Sequence, residues 1–386
     1  MMVDFRFSPE QEQFRETIRR FAQSELAPLY RDGDITKTFP RQQMEAMANL
    51  GLTGLRIPEA FGGSLQPCVV SGIAGEEIGR ADFNCGYFVE QNAFLGDLLS
   101  RFASPLLQER YLPGMADGSK IMGIALTEPS AGSDAASLSA RAVREGDEYI
   151  LSGEKTSITF AGSMDNCIVF AKTDPEAGAR GVSAFVVDCN LPGASCTVLP
   201  SIGSKCLLRG ALSMDQVRVP RDHLIGDEGQ GFRMIMAGFD YARAIIALMS
   251  LGAAAQSLDE TIAYVKEREA FGRPIVKFEG VQFPIAEAHT MLEAARWLCY
   301  QCLWRKDEGL PHTKEAAMCK WWGPKLAVET IHQCLLLHGH YGYVDDMPFD
   351  QRMRDVIGLE IGDGTAQIQK IVIARELMGR EVLPYR

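Results

Sequence analysis

The stretch IGDGTAQIQK (361–370) sets one carboxylate, Asp363, between Gly362 and Gly364, with Thr365, Gln367 and Gln369 following and an apolar helical run, IVIAREL, beyond. An acid so placed has two readings. It is a turn residue, the ordinary use of aspartate beside glycine, or a general base on a backbone that glycines leave free to adopt unusual φ/ψ. A second stretch, ALTEPSAGSD (125–134), gathers Ser and Thr hydroxyls and loop N–H groups. Those donors suit the edge of a polar heterocycle or a pyrophosphate, and equally an ordinary tight loop. Metal chemistry is weaker on both candidates. Cys299 and Cys302 form a single CxxC in WLCYQCLW with no second pair, and His338 and His340 form an isolated HxH. A structural zinc needs four converging ligands, so no metal is assigned.

The elements that would carry these residues fall into three textures. Residues 5 to about 118 read as helical: Ser8, Pro9 and Gln11 form a capped start, and Phe14, Ile18 and Phe21 recur at helical spacing. Amphipathic segments follow around Leu50 and from Tyr87 to Leu107, with FGG at 61–63 as a break. Between about 119 and 230, short alternating and β-branched runs (YILSG, TSITFAG, CIVFAKT, GVSAFVVD, ALSMDQVRVP) are punctuated by Gly, Asp, Asn and Pro, as in a compact β unit. From Gly231 the helical period returns to the end. The expected plan is α+β, mainly α: an N-terminal helical domain (1–118), a β-barrel-like middle domain (119–230) and a C-terminal helical bundle (231–386).

At 386 residues the chain is long enough for two or three packed units. Lys+Arg 39 against Asp+Glu 50 leaves a net charge of −11 with no basic run, which argues against a nucleic-acid partner. Asp4 and Glu10 lie where a secretory signal would carry basic and then apolar residues, and no apolar stretch is judged long enough to span a membrane, so a cytoplasmic protein is expected. The ten cysteines, several in apolar contexts such as CIVF and QCLLL, fit buried reduced thiols.

Five motifs in order, ALTEPSAGSD, GEKTSIT (153–159), FDYAR (239–243), REAFGRPIVKFEGVQF (268–283) and RMRDVIGLEIGDGTAQIQ (352–369), resemble those of the acyl-CoA dehydrogenase family across essentially the whole chain. The resemblance implies the family's three-domain fold, bound FAD, an acyl-CoA substrate and a homotetramer that passes electrons to an electron-transferring flavoprotein. It further implies that Thr127 and Thr159 meet the flavin ring and that Ser133 lies near the cofactor or the CoA arm. Arg268 and Phe271 would reach FAD on the adjacent protomer, Arg268 as a partner for pyrophosphate. Gly339, Thr365 and Gln367 would lie near FAD, while Asp240 and Arg243 would line the CoA passage. Gln91 would sit at the floor of the acyl pocket; without the resemblance it reads equally as a surface helix residue. Asp363 would take the α-proton while the β-hydride passes to flavin N5.

Departures from the family pattern narrow this. Ser157 replaces the Trp of the GEK-x-W-I-T motif, Gly339-His340-Tyr341-Gly342 replaces Gly-Gly-x-Gly, and Leu336 and Glu279 each weaken one transferred FAD contact. Most members carry Glu where Asp363 stands, and the alternative base position on the FDYAR helix is Ala242. Relatives that oxidise alicyclic carboxyl-CoA thioesters are similar in carrying Asp, so the expected substrate is cyclohexanecarboxyl-CoA or a close analogue, desaturated to the 1-ene. A nitroalkane-oxidising or enoyl-CoA-reducing flavoenzyme and a non-catalytic acyl-CoA-binding protein stay open as alternatives.

Overall fold

The computed structural model describes residues 6–383, so Asp4 and Phe5 of the expected N-terminal stretch lie outside it. The first helix starts as the sequence indicates. Ser8 caps α1 (Pro9–Phe21): its hydroxyl accepts from the Gln11 N–H at 3.2 Å, and Gln11 Oε1 accepts from the Ser8 N–H at 3.0 Å. The helices α2 (Tyr30–Thr36), α3 (Arg41–Asn49), α4 (Cys68–Ala81), α5 (Phe83–Phe102) and α6 (Pro105–Ala116) follow.

The β region contains β1 (Met122–Ala125), β2 (Arg141–Glu145), β3 (Glu148–Ile158), β4 (Asn166–Lys172), β5 (Val182–Asp188), β6 (Ala194–Val198), β7 (Gly210–Pro220) and β8 (Leu224–Ile225). They form one sheet in the order β6-β7-β3-β2-β4-β5-β8, with β1 pairing parallel to β4. The expected β-branched runs lie largely on strands except TSITFAG, which leaves β3 after Ile158 and turns over 159–162. The apolar run of β4 is buried almost throughout, as befits a strand covered on both faces, whereas β7 alternates. The β3–β7 register shifts between Leu151 and Gly153, where Gly153 adopts φ 139° and a Cβ would stand 2.8 Å from Ala140.

Helices return with α7 (Gly231–Glu267), a short hairpin of β9 (Glu269–Ala270) and β10 (Arg273–Pro274), then α8 (Glu279–Asp307), α9 (Thr313–His338), α10 (Phe349–Ile361) and α11 (Ala366–Met378). The chain gathers into two compact units, cut differently from the three textures. One holds the chain up to Asp32, Pro67–Glu90 and the chain from Arg243 on; the other holds Gly33–Gln66 and Gln91–Ala242. Two changeovers fall inside α5 and α7, where helical periodicity runs on without a linker to mark them.

In the β-containing unit, Leu98 and Leu99 of α5, Leu112 and Met115 of α6, Ile168 and Phe170 of β4, Val186 of β5 and Ile235 of α7 share one core. In the helical unit, α10 is pinned by charge. Arg352 donates to Glu260 at 2.6 and 2.9 Å and to Ser257 at 3.0 Å, while Asp355 accepts from Tyr30 (2.7 Å) and Asn84 (3.0 Å). One sequence expectation is corrected here. Helix α7 is long and apolar enough to cross a membrane, with an 18-residue window of mean hydropathy 1.5. That window is 78% buried within the protein, so protein covers the apolar surface that runs around the helix.

Candidate active site

Asp363 lies on the turn between α10 and α11, and the unusual backbone falls on the acid itself. Gly362 caps α10 at an ordinary φ of −56°, but Asp363 takes φ 54° and Gly364 φ 94°. A non-glycine residue in the left-handed region is uncommon and carries strain that its surroundings must hold. They do so through carbonyls. Arg243 Nε donates to the Asp363 carbonyl at 3.3 Å, and Gln369 Nε2 donates to the carbonyls of Asp363 (3.3 Å) and Gly364 (3.2 Å). The Lys320 ammonium donates to the carbonyls of Leu359 and, at 3.3 Å, Gly364. Gly364 favours glycine because its φ of 94° strains any side chain, and a Cβ there would also displace the Gln369 amide, whose Nε2 would lie 2.4 Å away. Thr365 closes the turn as N-cap of α11, its hydroxyl accepting from the Ile368 N–H at 3.4 Å.

Lys320 is fully buried in the middle of α9, and burial pushes its ammonium down to about 8; the Asp363 charge pulls it back up and the Arg243 charge pushes it further down. Neither Lys320 nor Gln369 was singled out by the sequence. Gln369 stands two residues beyond Gln367, which is exposed, whereas Gln369 is buried.

The β-containing unit holds the second group. Thr127 opens a loop in which Glu128 and Ala131 exchange backbone hydrogen bonds at 3.0 and 3.1 Å, and the Thr127 carbonyl accepts from the Thr156 N–H at 2.9 Å. Beneath it lies a buried ion pair that sequence reasoning quoted inside two motifs without assigning. Lys155 Nζ donates to Glu128 (2.8 Å) and to the Leu126 carbonyl (3.1 Å), and Glu128 also accepts from the Ser139 N–H (2.6 Å), the Ser139 hydroxyl (2.7 Å) and the Ala140 N–H (2.8 Å). Burial raises the Glu128 carboxyl, but those bonds outweigh it and hold it below its usual range. Loop 127–134 and the end of β3, with buried Thr159 and exposed Ser157 at φ 58°, are thereby fixed to one another. Ser133 is exposed on the loop. Gln91 is 4% exposed and donates to the Met122 carbonyl at 2.6 Å, which rules out the surface alternative.

Arg268 and Phe271 share the β9–β10 hairpin of the helical unit. Phe271 and Gly272 both have positive φ (53° and 76°), and the Phe271 ring is 94% exposed. The Arg268 guanidinium lies 5.8 Å from the centre of the Tyr341 ring. Gly339 ends α9 at φ 60°. His338 is buried, its Nδ1 hydrogen-bonded to the Cys334 carbonyl at 2.9 Å and its ring stacked on Tyr264, which is a structural role. Cys299 and Cys302 are buried on α8. Among the described residues no group of three or more His, Cys, Asp or Glu could hold a metal ion.

Three family models match in succession: acyl-CoA dehydrogenase N-terminal domain over 8–119, middle domain over 123–217 and C-terminal domain over 229–378. The chain is 35% identical over 384 residues to an acryloyl-CoA reductase (NADH) of Anaerotignum propionicum, covering 98% of this chain and 97% of that protein. It is 36% identical to the mitochondrial short-chain specific acyl-CoA dehydrogenase of Mus musculus, over 96% and 90% of the two chains. Butyryl-CoA dehydrogenase from Megasphaera elsdenii superposes with a TM-score of 0.94 at 30% identity, over 97% of this chain and all of that one. The chain therefore belongs to the acyl-CoA dehydrogenase family, flavin-dependent oxidoreductases of acyl-CoA thioesters whose cofactor is FAD. The donor set suits such a group: the Thr127 and Thr159 hydroxyls match the polar edge of a flavin, and the Arg268 guanidinium matches a diphosphate. These relatives are named for short-chain substrates and none for an alicyclic one.

Proposed function

We propose that this enzyme desaturates a compact acyl-CoA, with Asp363 taking the α-proton and an α-branched or ring substrate such as cyclohexanecarboxyl-CoA as the preferred acyl group. The observation that carries this reading is the turn at Asp363, where a left-handed backbone is imposed on an acid and held by three side chains that grip its carbonyls. Strain of that kind persists where a side chain must be aimed. Asp is shorter than the family's Glu by one carbon–carbon bond, about 1.5 Å. An offset near 1 Å costs on the order of 10²-fold in rate when it is not compensated. A ring that presents its α-carbon closer to the turn compensates it, and Ser157, small where the family pattern has Trp, leaves width beside the cofactor.

FAD, when bound, supplies the two-electron acceptor for the β-hydride. This chain's residues supply the rest. Thr127, Ser133 and Thr159 hold the cofactor from one protomer, Arg268 and Phe271 reach the cofactor of a neighbouring copy, and Gly339 lies near FAD. Thr365 and Gln367 flank the base, and Asp240 and Arg243 line the CoA passage. Gln91, tied to the Met122 carbonyl, keeps a neutral amide at the acyl floor. We assign the enzyme to the cytoplasm as a homotetramer that passes electrons to an electron-transferring flavoprotein. A second reading, reduction of a short enoyl-CoA, takes its support from the acryloyl-CoA reductase among the relatives.

The test is anaerobic bleaching of the bound flavin by butyryl-, isobutyryl- and cyclohexanecarboxyl-CoA, with wild type, Asp363→Asn and Asp363→Glu. Wild type should bleach fastest with the ring, Asp363→Asn should lose at least about 10³-fold, and Asp363→Glu should gain on butyryl-CoA while losing on the ring. Fastest bleaching by butyryl-CoA would overturn the substrate assignment, and an active Asp363→Asn would overturn the base.

A further inference from the structure

We propose that Lys320 is a positioning residue for the base: its buried ammonium, joining the end of α10 to the carbonyl side of Gly364, sets where the Asp363 carboxylate stands. The inference rests on the reading of Asp363 as base. Its evidence is the geometry of one turn. Lys320 grips carbonyls on both sides of Asp363, at Leu359 and Gly364. Those are the last turn of α10 and the residue before the N-cap of α11, where helix carbonyls run out of intrahelical donors. A cation satisfies such groups better than a neutral donor. Arg243 and Gln369 hold the intervening Asp363 carbonyl from other sides. The left-handed φ of Asp363 is thus fixed at both flanks and at its centre, and the side chain has one direction in which to leave the backbone.

The position of Lys320 in α9 is also one that a stability argument alone does not explain. It is fully buried among Ala316, Ala317, Cys319 and Gly323, and an apolar residue would fill the same space without the cost of desolvating a charge. The charged groups that act on it are Asp363, Arg243 and Glu360, one of them the base. Pro324, four residues on, lacks the N–H that would bond the Lys320 carbonyl, so α9 relaxes its ladder at this point.

Two readouts on the FAD-loaded protein test the role, one independent of turnover. Hydrogen–deuterium exchange of the peptide spanning 358–369 should accelerate about tenfold in Lys320→Met, with peptides of the β-containing unit unchanged. Flavin bleaching by the best acyl-CoA of the panel above should slow on the order of 10²-fold in rate constant while the acyl-CoA Kd stays within about threefold. The loss should vanish when Lys320→Met is placed in an Asp363→Asn background, because there is then no base to misplace. Lys320→Gln, which keeps a neutral donor, serves if Lys320→Met does not fold, and should give an intermediate loss of rate. Unchanged exchange together with a rate within twofold of wild type overturns the positioning role while leaving the base intact. A fully active Asp363→Asn overturns the base reading instead, and with it any role for Lys320 in aiming one.

Discussion

A carboxylate and a thiol show how far single residues can be pushed by their neighbours. The Asp363 turn holds a left-handed backbone at an acid, and the side chains of Arg243, Lys320 and Gln369 donate to its main-chain carbonyls. Cys196 is the second case. It is exposed on the edge strand β6, and the Cys189 thiol donates a hydrogen bond that brings its pKa down to about 7. The other cysteines with resolved shifts are pushed up, chiefly by burial or, at Cys189, by that same hydrogen bond. Cys196 should therefore be alkylated first by iodoacetamide at pH 7, read by peptide mass spectrometry. Cys189→Ala should slow that labelling about fivefold, the gain in thiolate being partly offset by lower nucleophilicity. At this scale the sequence announced Asp363 through its glycines and neighbouring motifs. It could not announce Lys320 or Gln369, because a lone lysine or glutamine in a helix reads as a solvated face, and what buries Lys320 lies about forty residues further along the chain.

Among the elements, the start of α5 depends on a buried acid whose protonation is linked to folding. Asp82 accepts from the N–H groups of Asn84 (2.8 Å) and Cys85 (3.1 Å) at the start of α5, yet burial lifts its carboxyl to about 6, with Asp355 adding to the rise. A carboxyl raised above its unfolded value keeps its proton longer in the folded state. Stability should fall as pH rises from about 4 to 6 on its account and stay reduced above that. Asp82→Asn keeps an acceptor for the cap and removes the charge. Its Tm relative to wild type should be higher at pH 7.5 than at pH 4, a swing of roughly 2–3 kcal/mol for a shift of about two units; an equal difference at both pH values would contradict this. The elements themselves were largely legible. The Ser8 to Gln11 capping box, the strand runs and the return of helical period at Gly231 all appear where local chemistry indicated. The apolar length of α7 was underestimated because alanines, glycines and a few charges break the run to the eye, while the helix averages them.

The whole molecule divides where local pattern is silent. Changes of texture mark where strands begin and end, but the compact units change over inside α5 and α7, since a continuous helix satisfies its own backbone regardless of what each half packs against. The Glu128–Lys155 pair illustrates the same limit: both residues stand in recognisable motifs, yet only the fold shows that one buried ion pair ties loop 127–134 to β3.

Phe271 carries a last consequence. A ring 94% exposed on a turn with φ 53° costs the lone chain both strain and hydration, and under the proposed function the cofactor it would serve belongs to another copy. Damage at Phe271 is then inherited by the neighbour, whereas damage at Asp363 stays at home. Two inactive variants, Phe271→Ala and Asp363→Asn, should repair one another on co-refolding, since each mixed pair holds one site with both residues intact. Random pairing would restore about a quarter of wild-type bleaching, and no recovery would mean that each subunit furnishes its own ring.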